Sequence, residues 1–295
     1  MKNAKTRARR RRSPGSRHVI SRLLLSLCAA VILVPLVVTF LYSFFSPSEI
    51  KAFLNTRGSY DKEAFMDILL SPKVASLNQY YDILIKDTSI LRMFANSAFY
   101  AAAILLGQAA VIPAMAYALS RFRFPGRDAV FFMILMLMLL PFQVTMVPNV
   151  LTLRGIGLLN TVWAVILPMW FTPFYVFLIR QFMVGLPDEL LEAAQMDGAG
   201  TIRCYWQIVL PVCRPVIGAA VALSFADNWN LVEQPMTYLS QRTDLQPLSV
   251  MFNQLVAQPG GIEFAGAALY ILPALFVYLY FQEDILSGVQ LTELK

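Results

Sequence analysis

Five long runs without a single charged residue dominate this chain, at 23–45, 93–120, 129–153, 155–179 and 264–282. A helix needs about 20 apolar residues to cross roughly 30 Å of hydrocarbon, so each run is long enough for one crossing. A sixth run, about 212–235, is interrupted by Asp227 and Glu233. Proline and glycine recur inside the runs, at Pro35, Gly107, Pro113, Pro141, Pro168 and Pro273. Membrane helices tolerate such breakers where neighbouring helices cover the freed backbone groups. The pattern predicts an all-α membrane protein of about six transmembrane helices. Composition agrees, since 58% of the 295 residues are hydrophobic and 14% charged, against about a quarter charged in soluble domains.

The net charge of +6 is unevenly spread, with nine of the 24 Lys and Arg residues in the first 22 positions. Basic residues next to a span set its orientation rather than a nucleic-acid surface. The run at 23–45 exceeds a signal-peptide core and reads as a retained first span. With six spans, the side holding both termini carries 16 of the 24 basic residues. The other side holds eight, six of them in a 46–92 loop that also contains six acids. Both termini and the 180–214 loop are therefore expected on the cytoplasmic side of the membrane. The three cysteines lack ligand spacing, and His18 stands alone in the basic arm, so no metal site is expected.

Within that loop, Leu186-Pro187-Asp188-Glu189-Leu190-Leu191-Glu192-Ala193-Ala194-Gln195-Met196-Asp197-Gly198 has the grammar of a short helix. Pro187 suits a first turn, and Asp188 and Glu189 favour the positive end of the helix dipole. Gly198 supplies a left-handed stop. Thr201 is suited to cap a second helix running through Trp206, Ile208 and Leu210 to Pro211. The loop, about 186–211, thus reads as a helix–turn–helix outside the bilayer, with Leu190, Ala193 and Ala194 along one stripe.

Those residues carry a resemblance. Glu192-Ala193-Ala194, then Gly198, then Ile208-Val209-Leu210-Pro211 resembles the EAA loop of ATP-binding-cassette (ABC) importer permeases, and Asp197-Gly198-Ala199 is similar to its carbohydrate-importer form. The likeness extends through Asn96-Ser97, Tyr117-Ala118-Leu119-Ser120-Arg121, Leu158-Leu159-Asn160-Thr161 and Trp229-Asn230, so the chain resembles the MalG-like, carbohydrate-uptake, binding-protein-dependent permeases. The resemblance implies a transport subunit without covalent chemistry of its own. The partners it implies are a second permease forming a heterodimer, two ATPase subunits that bind ATP and Mg, and an extracellular solute-binding protein. Glu192 would pair with the ATPase, and Gly198 would permit the turn. The implied organisation is a basic arm (1–22), a first span (23–45), an external loop (46–92), a permease core (93–282) and a cytoplasmic tail (283–295). Leu231 stands where the family commonly has an acid, and Gln282-Glu283-Asp284 where it tends to be basic.

Polar residues inside spans face a cavity or a partner helix. Asp227, Asn230 and Gln234 recur at a spacing that puts them on one helical face, with Trp229 and Glu233 on an adjacent one. Such a set offers hydrogen bonds for sugar hydroxyls and an aromatic face for the ring, or else packs between helices. Gln143, Thr145, Asn149, Gln108 and Asn96 pose the same choice. The 240–263 segment either reaches an extracellular partner or simply connects spans.

Competing classes fit less well. No GxxxxGK[ST] occurs, so nucleotide hydrolysis belongs to another chain. A membrane-embedded enzyme needs clustered carboxylates or a nucleophile–base pair, which are missing. A secondary transporter should show inverted repeats, and the EAA-like loop would have no role in one. The remaining alternative is an ABC importer for a non-sugar solute such as a phosphorylated polyol or a peptide.

Overall fold

The computed structural model of the chain describes residues 16–56, 72, 74–86, 88–257 and 262–293. Most of the basic arm, residues 57–71 of the 46–92 loop, Pro259-Gly260-Gly261 and the last two residues lie outside the described residues. Among the described residues every regular element is helical. The main helices are α1 (Ser16–Tyr42), α2 (Thr88–Arg121), α3 (Arg127–Leu139), α4 (Phe142–Gly155), α5 (Val162–Met169), α6 (Pro173–Val184), α7 (Asp188–Met196), α8 (Thr201–Val212), α9 (Arg214–Trp229), α10 (Glu233–Tyr238), α11 (Leu248–Ala257) and α12 (Glu263–Glu293).

Four stretches are long and apolar enough to cross a bilayer unaided: Ser21–Tyr42 of α1, α2, the α5–α6 run Val162–Val184, and Glu263–Leu286 of α12. Two further spans are bent pairs, α3–α4 at 109° and α8–α9 at 73°. With each bent pair counted as one crossing the total is the six expected, but the spans at 129–153 and 155–179 are not straight rods. The first breaks at Leu140-Pro141, because proline forces the residue before it into extended backbone, with Leu140 at ψ 121°. The second is interrupted at Trp170–Thr172 ahead of Pro173. The window at 155–179 also starts too early, since Gly157 and Asn160 turn with positive φ before α5 begins. In α12, no proline follows Gln282, and the helix continues through the residues read as a tail to Glu293.

Helices in lipid gain little from hiding apolar surface from water, so close approach and polar bonds between helices decide the packing. Helix α9 accordingly buries Gly218, Ala219, Ala220 and Ala222. A Cβ on Gly218 would fall 2.4 Å from Asp284 of α12, so glycine is what lets the two helices meet there. A buried cluster at the loop end joins Ile112, Tyr117, Tyr175, Met183, Val209 and Val216, and a second joins Tyr100, Ile104, Val165, Ile166, Leu231 and Tyr238.

The α5–α6 break is sealed by side chains of α2 and of the break itself. Gln108 Nε2 donates to the Met169 carbonyl at 2.8 Å and to Thr172 Oγ1 at 3.1 Å, while its Oε1 accepts from Ser224 of α9. Trp170 Nε1 donates to the Ala103 carbonyl at 3.1 Å. That ring lies where a Cβ on Gly107 would stand, 2.0 Å from Trp170 Nε1. At the end away from the 186–211 loop, buried Gln79 donates to the carbonyls of Tyr42 and Phe45, both at 2.8 Å, and accepts from Ala265 N. This amide ties the end of α1 to the start of α12, where Tyr42 also meets the Phe264 ring at 5.1 Å. Over residues 21–41, ahead of Tyr42, α1 buries no residue within the chain.

Gly107→Val should cost about 1–3 kcal/mol by overpacking against Trp170. A detergent thermal-shift measurement is expected to show a clear fall in melting temperature; an unchanged melting temperature would mean that the indole is free to move.

Candidate functional site

The loop at 186–211 folds as a short helix, a tight turn and a second helix. Pro187 does not enter the first turn: it precedes it in extended conformation, with Asp188 as the first residue of α7. Asp188 and Glu189 sit at the positive end of the helix as expected. At the other end Gly198 adopts φ +81°. Its N–H bonds the Gln195 carbonyl at 3.0 Å, and Ala199 N–H bonds the Ala194 carbonyl at 2.9 Å. These two bonds form a Schellman cap, which satisfies carbonyls the helix would otherwise leave open. Thr201 makes no side-chain cap: Gly200 holds the capping position and Thr201 is already helical. The Cys204 N–H reaches the Gly200 carbonyl instead, so the second helix starts without a hydroxyl.

Helix α7 buries no residue of its own. Glu192, Ala193, Asp197 and Gly198 are exposed, Ala194 and Ala199 are half-buried, and Leu190 is 39% exposed. Leu191 provides its apolar contact with the core, alongside Leu186 and Tyr205. In α8, Val209 is fully buried, Ile208 and Leu210 are half-buried and Pro211 is exposed. The helix widens by one residue per turn over Tyr205–Val209 just before Pro211, a local bulge often found at working sites.

Three residues beyond the motif complete this surface. Met196, Ile202 and Trp206 are 88%, 76% and 63% exposed. Large apolar groups in such an open position are a common feature of contact surfaces. Their signal in the sequence is weak, because each falls between polar neighbours and only the turn at Gly198 brings the two helices together.

The in-span polar residues form a second group, arranged differently from the helical face that their spacing predicts. Helix α9 ends at Trp229. Asn230 folds its amide back onto the Ala226 carbonyl at 2.8 Å, and Gln234 lies on the separate helix α10. A continuous helix would also leave the Leu231 carbonyl facing Pro235, which has no N–H. Ser249 Oγ donates to that carbonyl instead. The break nevertheless gathers the residues: Asp227, Asn230, Glu233 and Gln234 line one open cleft of about 410 Å³, with Met169 and Leu231 on its apolar side.

Buried Tyr175 donates to the Asp227 carboxylate at 2.5 Å. Gln143 of α4 donates to Glu233 at 2.9 Å, so α4 is tied to a residue that lines the cleft. Asn149 reaches the Tyr238 hydroxyl. Trp229 lies apart: it is 2% exposed, stacks on Phe225 with ring centres 5.5 Å apart, and donates to the Tyr270 carbonyl at 3.0 Å. Its ring is α9–α12 packing and offers no face to the cleft. Gln108 is also packing, and Asn96 pins the 240–263 segment through the Asp244 and Gln246 carbonyls at 2.9 and 3.1 Å. In that segment the Arg242 guanidinium holds the Asp244 carboxyl below its ordinary range.

Comparison with known proteins adds a family. Residues 109–283 match the family described as binding-protein-dependent transport system inner membrane component. The chain is 28% identical to the arabinooligosaccharides transport system permease protein AraQ of Bacillus subtilis (strain 168), over 78% of this chain and 83% of that one. It is 31% identical to the sn-glycerol-3-phosphate transport system permease protein UgpE of Pectobacterium atrosepticum, over 67% and 72%. In fold it is similar to a chain from the crystal structure of a bacterial ABC transporter involved in the import of the acidic polysaccharide alginate. That match has a TM-score of 0.76 and 23% identity, and covers 92% of this chain and 98% of the other.

Replacing Gly198 by valine forces a branched side chain into the left-handed region, a cost of roughly 1–2 kcal/mol. Hydrogen exchange of the 194–199 amides should then speed up by about five- to thirtyfold, as that energy implies. Unchanged exchange would show that the cap does not hold the helix end.

Proposed function

The chain belongs to the binding-protein-dependent transport system inner membrane components, and on that premise we propose that the 186–211 loop is where a separate ATPase drives it. The observation that carries this reading is the loop's construction. A helix that buries nothing, closed by a glycine cap, presents Glu192 and Ala193 to the outside with Ala194 half-buried next to them. Met196 at the end of this helix and Ile202 and Trp206 on the next are exposed apolar groups. Two small alanines permit close approach, Glu192 supplies a charge for a basic partner, and the three apolar groups supply area.

The chain itself is a multi-spanning transport subunit of an ABC importer. In the proposed assembly it pairs with a second permease, two ATPase subunits that bind ATP and Mg, and a solute-binding protein on the far side. The excess of Lys and Arg in the N-terminal arm and around the loop supports a cytoplasmic location for the loop and both termini.

The cleft beside α9 and α10 is the proposed contact with cargo. Its lining of Asp227, Asn230, Glu233 and Gln234 beside Met169 and Leu231 offers acceptors and donors along one edge and an apolar surface along the other. That mixture suits the hydroxyls and the flat carbon face of a sugar or oligosaccharide. Two carboxylates in one cleft would repel a phosphate ester, which weighs against a phosphorylated polyol.

The test is uptake by the assembled complex in membrane vesicles. Glu192→Lys should lower uptake to below about a tenth of the original, a typical coupling energy between linked sites, while membrane insertion stays normal. Normal uptake in that variant would remove the loop from the mechanism. Asp227→Ala should weaken uptake without loosening the complex in a mild-detergent pull-down; unchanged uptake would return Asp227 to packing.

A further inference from the structure

Arg121 is the last residue of α2, and its side chain is only 10% exposed although it lies at the loop end of the helix. One arm of its guanidinium, Nη2, donates to the Met183 carbonyl at 2.6 Å and to the Leu186 carbonyl at 2.8 Å. The other arm, Nη1, pairs with the Asp188 carboxylate. Met183 and Leu186 bracket the end of α6, where unpaired carbonyls concentrate negative partial charge. Asp188 opens α7. One rigid fork therefore fastens α2 to two elements that are 62 to 67 residues away in sequence.

Helix α2 is well placed to carry what the fork receives. It is 34 residues long, about 51 Å at 1.5 Å per residue. At mid-length Gln108 holds the α5–α6 break and Ser224 of α9. At the far end Asn96 and Tyr100 bond the carbonyls of Asp244, Gln246 and Leu245, and Ser97 accepts from Leu248 N. Near the fork, α2 is further joined to α8 by Tyr117 against Tyr205, with ring centres 5.2 Å apart.

We propose that Arg121 is the positioning residue that transmits movement of the 186–211 loop into α2, and through it to the cleft and the far end of the chain. This rests on the reading of that loop as the ATPase-docking element. Arginine is required because its planar fork meets two carbonyls and a carboxylate together, whereas lysine offers a single ammonium. The strut is polar, and it lies where α7 has only Leu191 against the core. Without it, the loop can follow the ATPase while α2 stays behind.

The experiment uses the full importer in proteoliposomes with its binding protein, reading cargo taken up and ATP hydrolysed in the same sample. Arg121→Met should lower the ratio of cargo to ATP about tenfold, within the usual range for coupled sites, while hydrolysis continues and the ATPase remains bound. Asp188→Asn, which keeps the carbonyl bonds, should lower it by about twofold. Arg121→Lys should fall between these. A ratio equal to that of the unsubstituted importer in Arg121→Lys and Arg121→Met overturns the proposal. So does a parallel fall of uptake and hydrolysis, which is the mark of a merely structural contact. If Arg121→Met does not assemble, the lysine variant decides by the same ratio. The loop reading is checked separately by cross-linking from Met196→Cys to the ATPase. No cross-link overturns the loop reading, whereas a cross-link with an unchanged ratio overturns the strut alone.

Discussion

A backbone carbonyl inside hydrocarbon must find a donor, and the architecture of this chain follows from where that demand is met by side chains instead of by the helix itself. Among the breaks described in the apolar runs, two have a carbonyl met by a side chain from elsewhere in the chain. Gln108 covers Met169, and Ser249 covers Leu231. Each donor comes from another element, so each break also becomes a joint between elements. Unsatisfied groups at these depths would cost several kcal/mol apiece, which explains why the bends occur where a partner can reach them.

The same accounting decides what can be read from the sequence. Spans are legible because length and absence of charge are properties of a single run. The left-handed stop at Gly198 is legible because a glycine set between a helical pattern and a new helix start can end the first helix without steric cost. The arrangement of Asp227, Asn230 and Gln234 is not, since helical spacing assumes an unbroken helix. The Asn230 amide turns back to Ala226, and Pro235 cannot supply the N–H that Leu231 would need. Trp229 escapes a local reading for a related reason: its neighbours Phe225 and Tyr270 surround it only once α12 is in place. The reach of Arg121 is invisible at any local spacing, because its three partners lie beyond several intervening helices in sequence. As a residue in a string it counts only as one more positive charge.

The candidate cleft and the loop stand on opposite sides of the packing they share. Helix α9 borders the cleft through Ala226 and Asp227 and, through Val216 and Ala220, belongs to the same buried cluster as Val209 of α8. Helix α6 does likewise, with Tyr175 on Asp227 at one point and Met183 under Arg121 at another. The elements that shape the cleft are therefore those that support the loop. A rigid shift of one cannot leave the other untouched, because close-packed interiors have little room to absorb displacement.

The exposed crossing of α1 bears on how the chain is made. Its holds on the rest of the fold, Gln79 and Phe264, lie well downstream of it, the second by more than 200 residues. During synthesis α1 emerges long before either, so it must enter the bilayer on its own affinity for lipid. Its mean hydropathy of 2.8, against 1.8 to 1.9 for the other three stretches long and apolar enough to cross unaided, fits a segment that inserts without help. The bent spans have the opposite character: their polar joints are complete only when the neighbours have arrived, so they settle late and as a group.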